Sequence, residues 1–133
     1  MEILLIGGVV TAMALIFSAW LMTFARWYPI PGLDGKFDFA TMIRAHVDYA
    51  LMSVFNFSFY GAAMGGGVDL PILACWCVAI GGITNPSIFV VAALDENFWD
   101  KTFWKVVSGI SFIVTTVGFV GVSYAFVQHY LSV

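Results

Sequence analysis

Residues 3–25 read ILLIGGVVTAMALIFSAWLMTFA, with no charge and no proline. As a helix rising 1.5 Å per residue, that run is long enough to cross the ~30 Å hydrocarbon core of a bilayer. Three further apolar runs follow, at about 40–64, 70–94 and 102–131. Each boundary has its own breaker. Pro29, Pro31 and Gly32 close the first run, and Gly65, Gly66 and Gly67 form a tight turn after the second. Pro71 stands where a first-turn proline is tolerated. Asp95-Glu96-Asn97 separates the third run from the fourth, which Asp100 or Thr102 is placed to cap. The expected fold is all-α: one domain over 1–133, an integral-membrane up-down four-helix bundle. The first run lacks a basic start and an Ala-x-Ala site, so it reads as the first helix rather than a removed leader.

Composition points the same way. Apolar residues make up 62% of the chain and charged residues 10%, against roughly a quarter charged in soluble domains. A soluble fold of 133 residues could not hide that much apolar surface. Tryptophans gather near the ends of the runs, as an interfacial belt requires. A net charge of -3 without a basic run argues against nucleic acid as a partner. Cys75 and Cys77, two apart in an apolar run, read as buried free thiols. Arg26, Lys36, Arg44, Lys101 and Lys105 all fall on the side of the first and third loops. By the positive-inside rule those loops are cytoplasmic and both termini face outward, across what is expected to be a bacterial inner membrane.

Polar residues are costly inside a bilayer, so their positions carry the functional information. In the second run His46, Tyr49, Ser53, Asn56 and Tyr60 recur at spacings of 3 and 4 and share one helical face. Val47, Leu51, Val54 and Phe55 lie opposite. Two readings of the stripe stand: interhelical hydrogen-bonding glue, or one wall of a site. Arg44 can snorkel to the interface, and Asp48 can pair with it at i+4. His46, about two turns into the helix, is at a depth that suits an axial haem ligand, with Arg44, Arg26 or Lys101 meeting the propionates. A helix–helix hydrogen bond is the competing role for that imidazole. In the third run Asn85 precedes Pro86, which removes a helical donor, so Asn85 either packs at a kink or lines a pocket. Gly81 and Gly82 admit another helix or a flat ligand. Ser108, Ser111, Thr115 and Thr116 read as helix glue.

Several chemistries are excluded by count. The two histidines lie toward opposite membrane faces, so they cannot clamp one haem between them. There is no Cys-x-x-Cys-His, no three- or four-ligand zinc set, no Glu-x-x-His pair and no assembled Ser/His/Asp triad. A metal centre here is most simply a haem b iron held by His46 alone, with its sixth position open to a ligand.

Arg44-Ala45-His46, opening the second helix of a four-helix protein of this size, resembles the corresponding motif of the styrene oxide isomerases. A Pro-containing first loop, a short second turn and an aromatic-rich third helix holding Asn85 are also similar. The resemblance implies a membrane homo-oligomer, a trimer, with haem b bound near subunit contacts by His46 (metal and cofactor) and Arg44 (cofactor). It implies ferric iron acting as a Lewis acid on an epoxide oxygen, and an aldehyde formed by a 1,2-shift. Two positions depart from the family. Met52 stands where an asparagine follows the ligand histidine, and Phe89 stands where a tyrosine follows the third-helix asparagine. Tyr49, Asn56 and Asn85 are then the expected catalytic groups. Ser53, Phe57 and Phe89 line the pocket for a small apolar substrate entering from the lipid bilayer. The alternatives are a non-catalytic haem-binding or structural subunit of a larger complex, and a small transporter with Asn85-Pro86 as a broken-helix site.

Overall fold

The structure, a computed structural model, describes residues 1–28 and 37–132. Among these it is all-helical, with α1 (Glu2–Trp27), α2 (Phe39–Gly66), α3 (Ile72–Leu94) and α4 (Thr102–Leu131). A single 3-10 turn, Phe98–Asp100, precedes α4. Pro29, Pro31, Gly32 and Lys36 lie outside the described residues.

The helix ends follow local chemistry. Asp38 caps α2, its carboxylate accepting from the N–H groups of Ala40 (3.0 Å) and Thr41 (3.2 Å). At the far end Gly67 adopts φ 65°, a left-handed conformation that glycine takes without strain. The Val68 N–H then reaches back to the Ala63 carbonyl (3.0 Å), closing a Schellman turn over the buried Val68. Pro71 sits at the cap of α3, just outside the helix. The side-chain cap expected for α4 from Asp100 or Thr102 does not form. Lys101 occupies the cap position, and the 3-10 turn ahead of it has already fixed the chain's direction.

Neighbouring helices run antiparallel. Ser18 meets His46 and Gly8 meets Ser53 across α1 and α2. Tyr49 meets Ser87 across α2 and α3, and Thr84 meets Ser111 across α3 and α4. The layout nevertheless departs from a symmetric bundle. α1, α2 and α3 pack as a triangle, and α4 lies along the outer side of α3. Small residues set this arrangement. Gly118 and Gly121 of α4 press on the backbone of Val78 and on Ala74, so the α3–α4 seam is too close for side chains to fill a shared centre. α4 reaches α2 through aromatics, with Phe119 edge-on to Phe55 (5.1 Å) and Phe59 (5.3 Å).

Burial is inverted relative to a soluble domain. Thr11, Ser18, Ser53, Asn56, Asn85, Ser108 and Ser111 are inside, whereas Phe17, Trp20, Ile72, Leu73, Phe103 and Ile113 are each more than half exposed. Three helices, α1, α3 and α4, are long and apolar enough to cross a membrane. α2 has the length, at 28 residues, but its polar stripe makes it less apolar than the others.

Candidate functional site

The polar stripe of α2 faces the other two helices of the triangle. Tyr49, Ser53 and Asn56 are buried, and His46 is half-buried at the α1 edge. Ser18 Oγ lies 2.9 Å from His46 Nδ1 and 2.8 Å from the Leu15 carbonyl. A serine hydroxyl has one proton, and a carbonyl can only accept. With that proton on Leu15, Oγ must accept from Nδ1–H. In that pairing a neutral imidazole carries its proton on Nδ1 and keeps the Nε2 lone pair free. A histidine that donates through one nitrogen and keeps the other for a metal is the usual ligand arrangement.

The same reasoning applies one turn further along. Ser87 donates to the Ile83 carbonyl (2.7 Å), so the Tyr49 hydroxyl, 2.7 Å from Ser87 Oγ, is the donor to serine. Ser53 donates to the Gly8 carbonyl of α1 (3.1 Å). Tyr49 and Ser53 therefore tie α2 to α3 and α1. Asn56 is fully buried and donates from Nδ2 to the Met52 carbonyl (2.8 Å). Its Oδ1 has no hydrogen-bond partner among the described residues, and neither has Asn85 Oδ1. Glycines make the room for Asn56. A Cβ on Gly7 would lie 2.8 Å from its Oδ1, and one on Gly82 would lie 3.0 Å from its Nδ2.

The remaining expected residues divide. Phe57 lays its ring on Gly8 in the α1–α2 seam. Phe89 packs instead with Met42, Ala45 and Ala93 at the other end of α2, so the two rings do not line one apolar wall. Tyr60, last of the stripe, packs toward the Leu4 and Cys75 cluster. Arg44 is exposed, and among the described residues it forms no ion pair with Asp48. Gly81 and Gly82 are filled by Thr115 of α4 and by Met52 and Asn56 of α2, so it is helices that exploit their small size. Thr84 and Ser111 do bond across α3 and α4 (2.7 Å), whereas Thr115 and Thr116 bond back to their own helix. Buried Ser108 Oγ has no partner among the described residues. Cys75 is buried and Cys77 half-buried, both as free thiols.

His129 lies near the C-terminus of α4, at the end of the fold opposite His46. Among the described residues no three His, Cys, Asp or Glu side chains converge on a point that could hold an ion. A single imidazole with a free Nε2 is compatible with an iron already held by a porphyrin, which supplies the other ligands. Ser18, Gly7 and Gly8 were not singled out by the reading of α2. Their signal lay in α1, where Gly7, Thr11 and Ser18 repeat along one face and small or hydroxylated residues break an otherwise bulky run. Scans against protein-family models, curated proteins and solved structures find no match to this chain.

Proposed function

We propose that this chain is an integral-membrane haem b protein, with His46 as the iron's protein ligand, that isomerises a small apolar epoxide. The single observation that carries the reading is the Ser18–His46 contact at 2.9 Å, which leaves Nε2 free to bind iron. Membrane insertion is supported by the apolar exterior and polar interior. An exterior of this kind needs either lipid or a partner to cover it. α2 then crosses with the rest, its polar stripe shielded by α1 and α3. Arg26, Arg44, Lys101 and Lys105 share one end of the fold, which the positive-inside rule assigns to the cytoplasm.

When bound, ferric haem supplies a Lewis acid toward an epoxide oxygen. The chain's own residues have simpler tasks. His46 would hold the iron through Nε2, with Ser18 fixing its ring. Arg44, exposed at the same end, is placed to meet a propionate. The amide oxygen of Asn56, between Gly7 and Gly82, is a buried acceptor without a partner among the described residues, and so is that of Asn85 on α3. With the outer faces of α1 and α2 apolar and exposed, a porphyrin at His46 would need another copy to enclose it, in keeping with a homo-oligomer. A second reading, a haem-binding or packing subunit without catalysis, is favoured by Tyr49 and Ser53, whose hydroxyls are committed to helix–helix bonds.

The visible spectrum of detergent-purified protein tests the proposal. A Soret band that His46→Ala abolishes and His129→Ala retains is expected, followed by conversion of an aryl epoxide to an aldehyde. Protein that stays colourless after haem reconstitution sinks both haem readings. A haem protein inert toward epoxides leaves the accessory subunit.

A further inference from the structure

At the end away from His46, a cavity of about 470 Å³ opens between the 67–71 turn and the last turns of α4. This falls within the ~300–1,000 Å³ range of small-ligand pockets. Asp69, Tyr124, Gln128 and His129 border it. Asp69 forms no ion pair among the described residues. The described arginines and lysines are all at the opposite end, and the Met1 ammonium at this end is engaged by Glu2 at 3.4 Å. The helix ends balance at this end of the fold, the C-termini of α2 and α4 against the N-termini of α1 and α3, so side chains set the local charge. Tyr124, more than half exposed, and Gln128 are among the lining residues, so an aromatic ring and an amide are available to a ligand there.

An anion is disfavoured by the Asp69 carboxylate, which has no ion-pair partner among the described residues. A bare metal ion lacks a third strong ligand here among the described residues. We propose that this cavity binds an organic ammonium group, with Asp69 as counter-charge and Tyr124 as its cation–π wall. The inference stands independently of the haem reading. The ammonium belongs either to a free amine or to an aminophospholipid head group, since both present the same cation.

The test uses the full chain. Native mass spectrometry after release from mixed nanodiscs measures retention of phosphatidylethanolamine against phosphatidylglycerol. Saturation-transfer NMR in detergent measures ethanolamine and choline. Selective retention of phosphatidylethanolamine supports the lipid source, and binding of the free amines alone supports the soluble one. In either case Asp69→Asn and Tyr124→Ala weaken binding at least fivefold, whereas Glu2→Gln leaves it unchanged. Thermal denaturation checks that each variant is folded. Preference for phosphatidylglycerol, no binding of any ammonium probe, or full binding by folded Asp69→Asn overturns the proposal.

Discussion

Ser18 of α1 and His46 of α2 meet through Oγ and Nδ1 at 2.9 Å, and the Leu15 carbonyl behind the serine, 2.8 Å from Oγ, takes the hydroxyl proton when Nδ1–H donates. The contact couples helix docking to the state of one imidazole. Ser18→Ala removes the acceptor, so the ring is free to rotate and to exchange tautomers. Loss of such a supporting partner typically costs 10–100-fold in metal affinity. On the haem reading proposed above, Ser18→Ala is therefore expected to release haem at least tenfold faster to an apo-globin scavenger while still showing a Soret band. Ser18→Thr, which keeps the hydroxyl, restores retention. Equal haem loss from Ser18→Ala and the parent chain refutes the assignment of Ser18 as a positioning residue.

Gly7 is predicted to be intolerant of any side chain. A Cβ there would stand 2.8 Å from Asn56 Oδ1 and 2.9 Å from Ala79 Cβ, so α1 must move away from both α2 and α3. Overpacking of this kind costs about 1–3 kcal/mol. Gly61 and Gly109 have open space at the same position, where alanine gains helix propensity of up to ~1 kcal/mol. Thermal denaturation in detergent should show Gly7→Ala melting below the parent chain and Gly61→Ala or Gly109→Ala at or above it.

That contrast marks how far the sequence could be read. The helix spans were legible because apolar runs and breakers are local signals: 102–131 matches α4, and 40–64 differs from α2 by two residues or fewer at each end. The inward face of α2 was legible for the same reason, since a spacing of 3 and 4 is a property of one helix. The partners of that face were not. Ser18 is 28 positions from His46 and Ser87 is 38 from Tyr49, and nothing within α2 encodes which hydroxyl arrives opposite. The placement of α4 outside the triangle was equally hidden. It depends on Gly118 and Gly121 meeting α3 closely, a pairwise fit that glycine content alone does not specify. Phe57 and Phe89 were grouped by apolarity, but helix register separates them.

Tyr49 discriminates between the two roles of the stripe. Tyr49→Phe deletes the hydroxyl that donates to Ser87 and keeps the ring. Side-chain hydrogen bonds between membrane helices average about 0.6 kcal/mol, so as glue the change should lower stability slightly and leave turnover within a few-fold. A group acting on the substrate's oxygen contributes far more, about 10²-fold or above. Unfolding by denaturant and epoxide turnover, measured on the same preparation, should show the small effect on both. A hundredfold loss of turnover with unchanged stability assigns Tyr49 to catalysis instead.

The start of α2 should respond to acid. Thr41, through its hydroxyl and then its N–H, holds the Asp38 carboxyl below its ordinary value of 3.8, with the Ala40 N–H and Arg44 adding smaller effects. A carboxylate with a depressed folded value binds its proton more weakly folded than unfolded. Its stabilisation is thus complete above about pH 3.8 and is lost as pH falls through the folded value. Protonation weakens Asp38 as an acceptor for the first turn, two turns ahead of His46. Amide hydrogen exchange at Ala40 and Thr41 is therefore expected to accelerate below pH 3.8, relative to the intrinsic acid rate, while exchange in the middle of α2 stays constant. Asp38→Asn keeps a capping acceptor without a titrating proton and should show no such step. Persistence of the step in Asp38→Asn would move its origin to another group.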